Sequence, residues 1–153
     1  MNTAFVFPGQ GSQYVGMGKD FLDASSELDA LMKELDQQTE FPLRKYIVEG
    51  PAEKLERTKF TQPAVFAVNQ LVYRYCTDRG LDAEYFAGHS LGEYNAYVAS
   101  GRADLEQLWP VVVERGEAMD QAAQQVDGGM AAVLKLDRSS LEELCETISS
   151  DDS

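Results

Sequence analysis

Basic residues are scarce in this chain. Thirteen Lys and Arg stand against twenty-six Asp and Glu in 153 residues, giving a net charge of −13. That shortage argues against nucleic acid or an anionic membrane surface as the main partner. Any anionic substrate would need a local basic pocket. Cysteine is also sparse: Cys76 and Cys145 make no disulfide framework and match no metal-ligand spacing, so a reducing cytoplasm is the simplest home. Histidine occurs once, at His89. No apolar run is long enough to span a bilayer. The N-terminus has no basic segment before an apolar core, so it does not read as a signal peptide. Internal repeats and low-complexity tracts are lacking too. What is present is ordinary for a globular protein, 44% apolar and 25% charged, and long enough for one domain with a real core.

The most informative stretch is Gly88-His89-Ser90-Leu91-Gly92. This Gly-x-Ser-x-Gly pattern follows a run that reads as a buried strand, Ala83 to Ala87, and precedes one that reads as a helix, Tyr94 to Ser100. Strand, sharp turn with Ser at the apex, then helix is the context of a nucleophile elbow. Side chains at Gly88 and Gly92 would crowd the turn. The helix that follows aims its first amides at charge developing beside Ser90, and the Leu91 N–H is the natural donor. A plain turn is the alternative reading of the pattern.

Taken in order, Thr3 to Phe7 is short, apolar and β-prone, a second buried strand. It runs into the loop Pro8-Gly9-Gln10-Gly11-Ser12-Gln13, which is either a flexible turn or a loop lining a site at the carboxyl end of a strand. In the second case Gln10 could add a backbone N–H beside that of Leu91. The Gly-Lys-Ser/Thr ending of a phosphate-binding P-loop is missing. Phe21 to Gln38 reads as one amphipathic helix with Leu28, Leu31, Met32 and Leu35 on its core face. Arg44-Lys45 reads as a solvated pair, with a phosphate contact as the minor alternative. Thr61-Gln62-Pro63 is expected to open a central, well-buried helix, Thr61 as N-cap and Pro63 in the tolerated first turn. Gln62 is then either a helix-start residue or an amide lining a site. Strand, helix and strand alternate, which predicts a parallel α/β sheet.

Asp104 is expected to cap a helix to about Val126, kinked or restarted at Pro110. On it, Arg115 is either one half of a surface ion pair with Glu114 or Glu117, or a fork that grips a carboxylate. Gly128-Gly129 reads as a hinge, Met130 to Leu136 as a strand, and Ser139 to Glu142 as a capping box opening a helix to about Ile148. An activated serine needs a base. His89 adjoins Ser90, but neighbouring side chains diverge from an extended strand end, so His89 reads as a packed, hydrogen-bonded elbow residue. No Ser-x-x-Lys spacing occurs.

Four motifs occur in order: Phe7-Pro8-Gly9-Gln10-Gly11-Ser12-Gln13, Thr61-Gln62-Pro63-Ala64, Gly88-His89-Ser90-Leu91-Gly92-Glu93-Tyr94 and Arg115-Gly116-x-x-Met119. Together they resemble the malonyl-CoA:acyl carrier protein transacylases and the acyltransferase domains of fatty-acid and polyketide synthases. The resemblance covers the whole chain and about the first half of the family's length. It implies an α/β fold with a parallel sheet, a nucleophile elbow and an α/β-hydrolase-like core over residues 1–127. Residues 128–153 would begin a small ferredoxin-like subdomain. It implies a ping-pong reaction in which malonyl passes from coenzyme A to Ser90, then to the phosphopantetheine thiol of acyl carrier protein. Gln10 and Leu91 would supply the oxyanion-hole amides, Arg115 would pair with the malonyl carboxylate, and Met119 and Gln62 would line the pocket. No metal or redox cofactor is implied.

The departures are Asn95 and Tyr97, where the family often has small or apolar residues, Pro110 in a usually continuous helix, and the catalytic histidine. In the family that histidine lies well downstream, in the half this chain does not reach. The expectation is therefore the N-terminal part of a transacylase. A split enzyme completed by a second chain, or a non-catalytic module that docks carrier protein, is the alternative. A serine thioesterase or hydrolase is a weaker one, since it gives Arg115 no task.

Overall fold

The computed structural model describes residues 2–125 and 133–151. Its centre is the long, well-buried helix α5 (Thr58–Thr77), in which Ala64, Phe66, Ala67 and Leu71 are fully buried. Before it come β1 (Ala4–Phe7), α1 (Lys19–Ala24), α2 (Ser26–Gln37), α3 (Leu43–Glu49) and α4 (Ala52–Glu56). After it come β2 (Tyr85–Gly88), α6 (Gly92–Ala99), α7 (Leu105–Gln125) and α8 (Arg138–Asp151).

β1 and β2 pair in parallel, from Ala4 opposite Tyr85 to Phe7 opposite Gly88. Parallel strands need a long crossover, and α1 to α5 supply it. One face of the pair meets α5: the Tyr73 ring lies edge-on to Phe5 at 5.2 Å and to Phe7 at 6.0 Å, while Phe5 stacks on Phe86 at 6.2 Å. The other face carries Val6 and Tyr85, 72% and 57% exposed. The strands were expected to be buried, and this face is not. A parallel sheet is buried when helices cover both faces, and among the described residues one face is covered.

Helix boundaries differ from expectation where side chains compete with the backbone. Residues 21–38 form two helices, because Ser25 turns extended (φ −148°, ψ 121°) and its hydroxyl accepts the Leu28 N–H at 3.3 Å, an N-cap. The core face is the expected one: Leu28, Leu31, Met32 and Leu35 are buried. α5 starts at Thr58, three residues before the expected cap. Thr61 lies inside the helix, its hydroxyl donating back to the Leu55 and Arg57 carbonyls. Pro63 falls inside α5 and leaves the Lys59 carbonyl without its usual donor. That carbonyl faces Gly116 of α7, where an added Cβ would lie 3.1 Å away.

α7 runs through Pro110 without restarting. Pro110 is exposed and close to the helix start, where few intrahelical bonds are lost. At that start Gln107 reaches back, its Oε1 accepting the Asp104 N–H at 3.3 Å. Of the Arg44-Lys45 pair, Lys45 is exposed, while Arg44 is half-buried and binds the Asp29 carboxylate at 3.0 Å. The strand expected at 130–136 is not formed over 133–136, where no neighbouring strand is present among the described residues; its first three residues lie outside them. So do the Gly128-Gly129 hinge and the expected boundary at 127/128. α8 starts one residue before the expected Ser139 cap. Asp137 caps it instead, accepting the Ser140 N–H at 3.0 Å and the Ser139 hydroxyl at 2.6 Å. These bonds hold its carboxyl far below the usual carboxylate range, while Glu142 pairs with Arg138 at 2.7 Å.

Candidate active site

β2 ends at Gly88 and α6 begins at Gly92, leaving three residues to reverse the chain. Ser90 sits at the apex with φ 52°, a left-handed conformation that costs a non-glycine residue energy and marks a structurally enforced turn. The glycines are sterically required. A Cβ on Gly88 would lie 2.0 Å from the Gly92 carbonyl carbon, and one on Gly92 would lie 2.1 Å from the Phe7 carbonyl oxygen. The second contact crosses from the elbow to the loop after β1. A Cβ on Gly9 would likewise fall 2.4 Å from the His89 carbonyl oxygen, and the His89 N–H donates to Phe7 at 3.0 Å. The two glycine-bearing loops therefore face each other in backbone contact.

Ser90 is exposed. The Leu91 side chain is fully buried, which anchors the residue whose N–H follows the serine. Among the described residues, neither the Leu91 nor the Gln10 backbone N–H has a hydrogen-bond partner. The His89 side chain is exposed and hydrogen-bonds to no described residue. It is not the packed residue expected; its hydrogen bond is made by the backbone. Positive φ at Ser90 turns the neighbouring side chains apart, and His89 makes no contact with the Ser90 hydroxyl.

The structure brings Gln10, Gln62, Ser90 and Arg115 into one network. Gln10 Nε2 donates to the Thr58 hydroxyl at 3.2 Å, and Gln62 Nε2 donates to Gln10 Oε1 at 3.0 Å. Arg115 donates to Gln62 Oε1 and its second terminal nitrogen lies 3.4 Å from Ser90 Oγ. The guanidinium carbon also sits 5.7 Å from the Tyr94 ring centroid. Gln62 is 1% exposed and lies inside α5 rather than at its start. Arg115 has no carboxylate partner among the described residues; Glu117 pairs with Lys59 at 2.6 Å, and Glu114 forms no ion pair with Arg115. A second pair, Arg57 with Asp120 at 2.6 Å, ties the same two helices together, and Gly116 lets them approach. Met119 is half-buried one turn beyond Arg115 on the same face of α7.

This set combines an exposed hydroxyl on a strained turn, two unpartnered amides and an unneutralised cation. It suits acyl transfer through serine with an acyl group that carries a carboxylate. Among the described residues, no group of three His, Cys, Asp or Glu side chains could hold a metal ion, and no helix is long and apolar enough to cross a membrane. The acyl transferase domain model matches residues 4–152. The chain belongs to the acyl transferase domain family.

Its relatives share that architecture. The malonyl CoA-acyl carrier protein transacylase of Bacillus subtilis (strain 168) is 38% identical over 145 residues, covering 95% of this chain and 46% of that protein. An acyl-carrier-protein-S-malonyltransferase from Bartonella henselae superposes with TM-score 0.85 at 40% identity, over 99% of this chain and 49% of its own. A malonyl-transacylase in complex with its type II PKS acyl-carrier protein gives TM-score 0.84 at 34% identity, over 97% and 48%. The chain spans about half the length of the curated relatives it matches, and its α/β fold is that of the acyl transferases. Sequence reasoning gave no structural role to Thr58, to Gly116 beyond its place in a motif, or to Asn69 and Asn95 as a pair, which the structure sets around this candidate site. Gly116, directly after Arg115, was the available signal for a close helix contact, and asparagine in an apolar helix was the signal for the pair.

Proposed function

We propose that this chain carries the acyl-serine machinery of a malonyl-CoA:acyl carrier protein transacylase serving fatty-acid or polyketide synthesis in the cytoplasm. The observation that carries the reading is Arg115, without a carboxylate partner among the described residues and 3.4 Å from Ser90 Oγ. In an acidic chain, such a cation beside a nucleophile is the local basic pocket a malonyl group needs. The Ser90 oxygen attacks the thioester carbonyl of malonyl-CoA. The Gln10 and Leu91 amides take the developing oxyanion. The carbon–sulfur bond breaks, coenzyme A leaves as the thiol with the serine proton, and malonyl stays as an ester on Ser90. The phosphopantetheine thiol of the carrier protein then attacks that ester and restores the serine. Arg115 grips the malonyl carboxylate, Gln62 holds Arg115 in place, and Met119 lines the acyl pocket.

The proton acceptor is the histidine of the half of the domain that the relatives have and this chain does not span. The uncovered sheet face at Val6 and Tyr85 gives that half a place to pack. The second reading is a split enzyme whose other half arrives as a separate chain, or a non-catalytic module that docks carrier protein. Intact-mass spectrometry after incubation with malonyl-CoA tests the first reading: a malonyl adduct on the wild type and none on Ser90→Ala supports it. An adduct that persists in Ser90→Ala, or no adduct even with the C-terminal half of a relative added, refutes it.

A further inference from the structure

An inward-facing amide in an apolar helix is costly unless it is matched. α5 and α6 bring two such amides together, Asn69 at 8% exposed and Asn95 at 0%. They match each other. Asn69 Nδ2 donates to Asn95 Oδ1 at 2.9 Å, and Asn95 Nδ2 donates to the Phe66 carbonyl at 3.0 Å. Asn69 Nδ2 also donates to the Pro8 carbonyl at 3.0 Å. Both hydrogens of one buried amide are thus used, one on the loop after β1 and one on the helix behind the elbow. Pro8 is two residues before Gln10, and Asn95 is four residues after Leu91. The steric contacts at Gly9 and Gly92 limit how closely the two loops can approach. Contact of that kind does not stop them from drawing apart. Directional hydrogen bonds do, and burial of the Asn69 and Asn95 amides limits the competition from water.

We propose that Asn69 and Asn95 act as a positioning couple that fixes the separation of the Gln10 and Leu91 amides; this rests on reading Ser90 as the acylated residue. Asn69 acts through the Pro8 carbonyl and Asn95 through Asn69, and neither touches substrate. Their effect falls on the transition state, where the oxyanion needs both donors at once, and not on binding of malonyl-CoA.

The test compares wild type, Asn69→Leu, Asn95→Ala and the double variant. The readouts are the maximal rate of Ser90 acylation, the half-saturating malonyl-CoA concentration and the amide resonances of Gln10 and Leu91. Leucine keeps the branched heavy-atom shape of Asn69, in a somewhat larger volume, and removes its donors. The expected result is a maximal rate about ten- to a hundredfold lower, with half-saturation unchanged and both resonances shifted. The double variant should be no slower than Asn69→Leu, because the couple acts as one unit. A folded Asn69→Leu with unchanged rate and unchanged Gln10 and Leu91 resonances overturns the proposal, as does a double variant whose losses multiply. If Asn69→Leu does not fold, Asn95→Ala supplies the same readouts. If the wild type takes no malonyl group even with the C-terminal half of a relative added, the role of Ser90 fails, and the resonances alone decide whether the couple sets the two amides.

Discussion

Replacing Arg115 by Ala removes the charge proposed to select a carboxylate. The guanidinium is half-buried, held by Gln62 and 3.4 Å from Ser90 Oγ. Opposite unit charges about 4 Å apart attract by about 4 kcal/mol at an effective dielectric constant of about 20. Partial solvent access lowers that to about 2–3 kcal/mol, within the range for hydrogen bonds to charged groups. A loss of that size is about 30- to 150-fold in rate, at 1.36 kcal/mol per factor of ten. It should fall on malonyl-CoA alone. Acetyl-CoA has no carboxylate, so its acylation of Ser90 should change by less than about threefold. The assay is the initial rate of Ser90 acylation by each thioester, followed by intact mass, for wild type, Arg115→Ala and Arg115→Lys. Lysine keeps the charge and loses the fork, so it should retain part of the preference. An unchanged malonyl-to-acetyl ratio in Arg115→Ala, or an equal loss for both substrates, would refute the assigned role.

Other consequences follow from the same geometry. Gly92→Ala would set a Cβ 2.1 Å from the Phe7 carbonyl oxygen; it should cost about 3 kcal/mol or more in denaturant unfolding and abolish Ser90 acylation. Gln70, whose buried Nε2 has no hydrogen-bond partner among the described residues, should tolerate the near-isosteric Gln70→Met, with stability raised by about 1 kcal/mol. Asp137 is held below the usual Asp value of 3.8 by the Ser139 and Ser140 bonds. A depressed carboxyl contributes stability above its unfolded value and loses it as pH falls through the folded one. Acidifying through and below the usual Asp range should therefore fray α8, seen as faster amide exchange at Ser140 and Leu141, and Asp137→Ala should show that fraying already at neutral pH.

Much of the site was legible because its demands are local. The elbow is a matter of backbone torsions and of the absence of Cβ atoms at Gly88 and Gly92, so the five residues declare it. The core face of α2 was legible from the spacing of Leu28, Leu31, Met32 and Leu35. Boundaries were less so. Ser25 breaks a continuous amphipathic pattern through one hydroxyl, Thr61 caps nothing because α5 extends a turn further back, and α8 takes Asp137 over Ser139. In each case several short polar residues could serve as the cap, and packing chose among them. The exposed face of the strand pair was misread for a related reason. An apolar β-prone run says that a strand can be covered, and not whether something covers it.

The sequence alone determined the strained turn at Ser90, the glycines that permit it, the parallel α/β class and the residue types available for acyl transfer. These follow from short-range sterics and from periodicity, which are properties of neighbours along the chain. Only the tertiary structure shows what Arg115 and Gln62 are bonded to. Lys59, 58 residues away from Glu117, pairs with that carboxylate, and Gln62 bridges Gln10 to Arg115. The partner of a long polar side chain depends on which distant elements are packed beside it, and that information exists only once α5 and α7 have met.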